Sequence, residues 1–287
     1  MDGIFHVVRA FANEDVIHNE GDVDPVRDME IINNELFAKD LQQIARLLED
    51  LEKVIGRTNS KPAKEERDLL VKCKEMLEAK TPVRDGTWSG KDIELLNKHL
   101  FMSSKPVVYL VNIGRDEYIK KKNKWLPKIA EYIKEHGGGP VLPYSAEFEA
   151  EVLATAGSPE KAARDKAAAE IGAPSMIHKI VNCGYRTLQL IHYFTCGEDE
   201  VKCWTIRSGT LAPKAAGVIH TDFENGFICA DVQAFSDLKE LGSEAEVKAA
   251  GLYKQQGKNY EVKDGDICFF KFNVTTKATK IDKSKGK

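Results

Sequence analysis

The chain has 287 residues, 42% hydrophobic and 30% charged, with 42 Lys and Arg against 45 Asp and Glu for a formal charge of -3. That length is long for one core and comfortable for two or three domains, and the composition excludes wholesale disorder, a collagen and a full-length coiled-coil rod. Nothing global advertises nucleic acid. No apolar run approaches the ~20 residues that span a bilayer, and residues 1–6 lack the basic start of a signal peptide, so a soluble cytoplasmic protein is expected. Six cysteines, at 73, 183, 196, 203, 229 and 268, form no CxxC pair. They are expected to be reduced thiols filling cores, with no zinc site and no disulfide framework.

Residues 3–11 (Gly3-Ile4-Phe5-His6-Val7-Val8-Arg9-Ala10-Phe11) are nearly all apolar and rich in β-branched and aromatic side chains, which predicts a strand buried on both faces. Next, Phe37, Leu41, Ile44, Leu48, Leu51 and Ile55 recur at alternating steps of four and three, the seam of a two-helix coiled coil. The seam is expected to stop at Gly56. After a polar turn over 57–64, Leu70, Cys73 and Leu77 repeat the steps on an antiparallel partner, giving a helical hairpin assigned to residues 25–97. Two more apolar strands follow at 106–112 and 140–146 with a helix at 125–134 between them, a βαβ crossover. The fold class is therefore α/β, with a parallel sheet divided between residues 1–24 and 98–180 and interrupted by the hairpin. From residue 190 the texture changes to short strands at 190–194, 201–206 and 267–272 with turn signals between them, a small α+β module over 190–273. Five lysines among the last eleven residues and no apolar pattern make 274–287 a disordered basic tail.

Parallel sheets bind ligands at the carboxyl ends of their strands, which directs attention to Asn112-Ile113-Gly114-Arg115-Asp116 and to Ser145-Ala146. An Asn there offers an amide donor and acceptor to a purine edge, with neighbouring backbone groups completing base recognition; it equally serves as a turn residue. The acidic segment 11–21 carries His18, which either positions and deprotonates water or is a surface histidine without a role. No G-x-x-x-x-G-K-[ST] phosphate cradle, G-x-S-x-G elbow, H-E-x-x-H motif or catalytic cysteine setting occurs in these 287 residues.

Taken together, Asp2-Gly3-Ile4-Phe5-His6-Val7-Val8-Arg9-Ala10-Phe11, Val23-Asp24-Pro25-Val26-Arg27-Asp28, Leu96-Asn97-Lys98-His99-Leu100-Phe101 and above all Ala212-Pro213-Lys214-Ala215-Ala216-Gly217-Val218-Ile219-His220-Thr221-Asp222-Phe223-Glu224 resemble the Obg-like ATPases of the YchF type, over essentially the whole chain. The resemblance implies a P-loop nucleotide-binding domain with an inserted antiparallel coiled-coil hairpin, then a TGS domain of β-grasp shape. It implies ATP rather than GTP hydrolysis with Mg2+, association with ribosomes or translation factors, and RNA contact through the TGS domain. By the same resemblance, Asn112 opens the base-recognition motif, the Ile113 backbone meets the adenine, Ser145-Ala146 closes over the base, and His18 replaces the glutamine of ordinary GTPases. The family's Asn-x-x-Glu reads Asn-x-x-Arg here, at Arg115. The chain also begins downstream of the family's P-loop, switch segment and Mg2+ ligands, as if short of its first quarter to third. Each charge-assisted bond to phosphate is worth ~1.5 to 3 kcal/mol, so the chain alone is expected to bind ATP weakly and not to turn it over. The alternative is a non-enzymatic module that binds ribosomes or translation factors through the hairpin and TGS domain.

Overall fold

The computed structural model describes residues 1–273 apart from 14, 18, 19 and 198; the expected basic tail lies outside them. The chain divides into two compact units, Met1–Thr187 and Leu188–Lys287.

In the first unit, β1 (Ile4–Arg9) is followed by α1 (Pro25–Thr58) and α2 (Lys61–Glu78). Asp24 caps α1 by accepting from Val26 and Arg27 N–H at 3.1 and 3.2 Å, and Pro25 opens the first turn with its φ already set. Gly56 does not end the helix, and the turn is shorter than expected. Asn59 takes the left-handed conformation (φ 51°) and Ser60 caps α2 at once, so two residues reverse the chain. Between the helices Ile44, Leu70, Cys73 and Leu77 are buried, with Phe37, Leu41, Leu48 and Leu51 packed against them. Near the start of α1, Val26 and Met29 instead pack with the sheet residues Val8 and Tyr109.

The chain continues through α3 (Gly90–His99), β2 (Val107–Asn112), α4 (Arg115–Ile119), α5 (Leu126–Glu135), β3 (Val141–Tyr144), α6 (Ala146–Ala156), α7 (Lys161–Ile171) and α8 (Ile177–Thr187). Buried Asp40 of α1 accepts from Met102 N–H, Ser103 N–H and Ser103 Oγ at 2.9, 2.8 and 2.6 Å, fastening the hairpin to the segment that enters β2. The sheet is parallel in the order β1-β2-β3. As the central strand, β2 is buried at five of six positions. The expectation of burial on both faces fails for β1: His6 and Val8 are covered, but Phe5 and Val7 are 51% and 59% exposed. Apolar composition alone does not distinguish a central strand from one at the edge of the described sheet.

The second unit comprises β4 (Leu190–Cys196), β5 (Val201–Arg207), α9 (Ala212–Ile219), α10 (Thr221–Asn225), β6 (Phe227–Ala234), α11 (Phe235–Leu241), α12 (Glu244–Ala249), β7 (Lys254–Gln256) and β8 (Asp266–Phe272). Its mixed sheet runs β5-β4-β8-β6-β7, with β4 and β8 parallel. Ala212, Ala215 and Ala216 of α9 are fully buried in one core with Tyr193, Ile206 and Phe270. The small side chains let the helix approach closely. β6 and β7 are additional to the three strands expected in this α+β module. The cysteines are not mainly core residues: Cys73 and Cys268 are buried, whereas Cys196 and Cys203 are exposed. Among the described residues no helix is long and apolar enough to cross a membrane.

Candidate nucleotide-base site

At the carboxyl edge of the parallel sheet, backbone bonds tie the strand ends together. Ala10 N–H donates to Asn112 O at 2.8 Å, and Ile113 N–H donates to Tyr144 O at 2.9 Å. The Asn112 side chain extends this stitching, its Oδ1 accepting Ala146 N–H at 3.0 Å. Ala146 begins α6, and the buried Ser145 caps that helix by accepting Phe148 N–H at 3.3 Å. Asn112, Ile113, Ser145 and Ala146 are therefore brought to one place, on the ends of two adjacent strands. His18, the fifth predicted residue, lies outside the described residues. Part of its loop is held by Arg9, whose guanidinium donates to Phe11, Asn13 and Val16 carbonyls at 3.3, 3.1 and 3.0 Å.

The stitching leaves particular groups over. With Oδ1 occupied, Asn112 has its Nδ2 donor without a partner among the described residues, and the adjacent Ile113 carbonyl has none either. They are a donor and an acceptor on adjacent residues, Asn112 half-buried and Ile113 buried. The N7 and N6 edge of adenine presents the complementary acceptor and donor, whereas guanine presents two acceptors, N7 and O6.

Two anchors missed by sequence reasoning fix this loop. Asn123 is buried; its Nδ2 donates to Ala10 O at 2.9 Å and to Glu117 Oε2 at 2.8 Å, and its Oδ1 accepts Trp125 N–H at 2.8 Å. The same Glu117 oxygen accepts Gly114 N–H at 3.3 Å. One neutral amide thus joins the end of β1, the loop after β2 and the start of α5. The available signal was an Asn just ahead of a predicted helix, a capping residue type. On the other side, Arg115 forks onto Glu151 of α6, Nε to Oε2 at 2.5 Å and Nη2 to Oε1 at 3.0 Å, with Nη1 on Asp116 at 3.1 Å. The fork raises the Arg115 pKa and lowers that of Glu151. The residue that departs from the family pattern is thereby committed to a protein carboxylate.

For a metal, no group of three or more His, Cys, Asp or Glu side chains is placed to hold an ion among the described residues.

A parallel sheet with Asn112, Ser145 and Ala146 gathered at its carboxyl edge is an α/β unit. Residues 190–273 match the family model YchF-GTPase_C, described as a protein of unknown function. Over 274 residues the chain is 57% identical to the Obg-like ATPase 1 of Caenorhabditis elegans, covering 95% of this chain and 68% of that one. It is 51% identical to the human Obg-like ATPase 1, covering 95% and 69%. The solved structure of the Schizosaccharomyces pombe YchF GTPase superposes with a TM-score of 0.84 at 42% identity, covering 94% of this chain and 72% of that one. The chain belongs to the Obg-like ATPase family of YchF type, a family of P-loop nucleotide hydrolases.

Proposed function

We propose that the first unit supplies the adenine side of an ATP-binding and ATP-hydrolysing site. The observation that carries this is the donor and acceptor pair left by Asn112 Nδ2 and Ile113 C=O beside Ala146. The names of the relatives divide between ATPase and GTPase, and the pair favours adenine, because guanine O6 would face the Ile113 carbonyl as acceptor against acceptor. Ser145-Ala146 closes the base pocket, and His18 is assigned to the attacking water. The 287 residues contain no G-x-x-x-x-G-K-[ST], so contacts to the phosphates are not supplied from within them. The long α1 and α2 are read as a coiled-coil arm. The 190–273 module is read as a TGS domain of β-grasp form, supported by its mixed sheet with α9 packed across it. Both suit a cytoplasmic protein that docks on ribosomes, translation factors or RNA, the role left to these residues if no nucleotide is turned over.

Calorimetric titration tests the reading. Adenosine, AMP and ATP should bind the chain with similar affinity in the millimolar range, about 4 kcal/mol, and guanosine about tenfold more weakly. Asn112→Ala should cost about 1 to 3 kcal/mol for all three adenine ligands. Equal affinity for guanosine, or an unchanged Asn112→Ala variant, would return Asn112 to the role of a turn residue.

A further inference from the structure

The segment that follows α4 has a composition found nowhere else among the described residues. Residues 120–128 read Lys120-Lys121-Lys122-Asn123-Lys124-Trp125-Leu126-Pro127-Lys128, five lysines in nine positions with no acidic residue, in a chain of net charge -3. All five lysines are exposed, and none forms an ion pair among the described residues. Other exposed lysines do close such pairs, as Lys53 does with Glu49, Lys74 with Glu78 and Lys80 with Glu30. The nearest carboxylates on the amino-terminal side are already engaged, Asp116 by Arg115 and Glu117 by Gly114 and Asn123.

This run is also held in shape. Lys121 sits in the left-handed region at φ 54°, where a side chain is disfavoured. The turn is closed by Lys122 N–H to Glu117 O at 3.0 Å and Lys121 N–H to Tyr118 O at 3.1 Å, a Schellman arrangement. Asn123, between Lys122 and Lys124, is the buried anchor described above. Lys124 and Lys128 bracket the Trp125 ring with their ammonium groups 5.1 and 5.5 Å from its centroid. Lys120 to Lys124 therefore project from a fixed turn and Lys128 from the first turn of α5, so holding them near a ligand costs little further backbone order.

We propose that residues 120–128 form a docking surface for the phosphodiester backbone of a nucleic acid. Closely spaced, unpaired ammonium groups on a fixed turn match a ligand whose charges repeat along a line, and each contact releases a counterion. An anionic membrane is disfavoured, because Lys120 to Lys124 lie in a turn and not on the polar face of an amphipathic helix, the form in which a basic surface lies on a bilayer.

The test is fluorescence anisotropy of the 287-residue chain with a labelled RNA duplex, the same sequence as a DNA duplex, and vesicles containing phosphatidylserine. Binding is followed over about 50 to 200 mM salt, where the slope counts phosphate contacts. Replacing Lys120, Lys122, Lys124 and Lys128 by Gln should lower the slope for a duplex by about 3 to 4 and weaken binding by roughly tenfold or more. A control with Lys91, Lys166 and Lys179 replaced by Gln, exposed lysines of the same unit that lie outside the run, should leave both unchanged. Preference for RNA over DNA would place part of the contact on the 2′-hydroxyls; equal binding would assign all of it to phosphate. Absence of duplex binding at the lowest salt would overturn the proposal, as would a quadruple variant with unaltered slope, an equal loss in the control, or vesicle binding without duplex binding.

Discussion

Replacing Asn123 by Ala tests how the candidate base loop is positioned. The side chain supplies two donors and one acceptor, to Ala10 O, Glu117 Oε2 and Trp125 N–H, at 2.9, 2.8 and 2.8 Å. Glu117 keeps Gly114 and is only half-buried, so its loss is small. Ala10 is 1% exposed, and its carbonyl would be left without a partner beside an unsatisfied Trp125 N–H. At about 1 to 3 kcal/mol for each buried group left unmade, the variant should lose roughly 2 to 5 kcal/mol. Hydrogen exchange read by mass spectrometry gives this for the two units separately: peptides covering β2 should lose protection while those covering β5 do not. Asn123→Asp is the informative companion, since it keeps the acceptor for Trp125 but sets a carboxylate against Glu117 and the Ala10 carbonyl. It should be as damaging as Ala near neutral pH and recover as acid protonates it. If Asn123→Ala leaves β2 protection within about 0.5 kcal/mol of the parent, the range of an ordinary surface change, the amide is not the anchor claimed.

Other predictions rest on separate groups. Burial, and after it the charge of Arg84, lowers the pKa of His6 from 6.5. The unfolded chain therefore takes up a proton below pH 6.5 that the folded chain resists; stability should be full above that pH and fall as pH drops toward the folded value. His6→Leu should flatten that limb in urea titrations followed across the range, and an unchanged curve would exclude His6 as its source. Arg115→Glu, which restores the family's Asn-x-x-Glu, should set two carboxylates against each other at Glu151 and speed exchange in residues 113–117; adding Glu151→Arg should reverse the effect, and a double variant no better than the single would refute the pairing. Burial pushes the Cys73 thiol up to about 11 and Cys268 up to about 12, so at pH 8 a disulfide reagent should label Cys196 and Cys203 in the folded protein and reach Cys73 and Cys268 only on unfolding.

What could be read from the sequence depended on how local the determinant was. The apolar positions from Phe37 to Leu77 that pack between α1 and α2 were legible because one period runs through each helix, and β2 because Val107 to Val111 are all apolar, as a central strand requires. β1 has the same texture, but its exposure depends on which strands flank it, which no local pattern contains. Gly56 does not end α1, because glycine weakens a helix by only about 1 kcal/mol; the chain reverses at Asn59 and Ser60 instead. The loop after β2 was legible as the end of an apolar strand, yet the bond from Ala146 to Asn112 depends on the register of β2 against β3. Asn123 was invisible for a similar reason, since its partner Ala10 lies 113 residues away.

The two anchors of the loop after β2 differ in kind, and that difference has a functional meaning for the proposed site. On the β1 side, Asn123 works through short neutral bonds in a buried setting, which ionic strength hardly touches. On the α6 side, Arg115 and Glu151 form a partly exposed ionic fork, which salt screens over a Debye length of about 8 Å at physiological strength. Raising salt should therefore free the Arg115 end while the Gly114 and Glu117 end stays fixed. The Ile113 carbonyl, next to the neutral anchor, keeps its place, whereas the Asn112 amide depends on Ala146 at the start of α6. Base discrimination assigned to Ile113 should thus survive high salt, and salt should act mainly on the Asn112 contribution. A salt series of adenosine and guanosine affinities, repeated with Asn112→Ala, separates the two: the ratio of the two nucleosides should hold constant in the variant, and a ratio that still drifts with salt would show that the fork, not Asn123, positions Ile113.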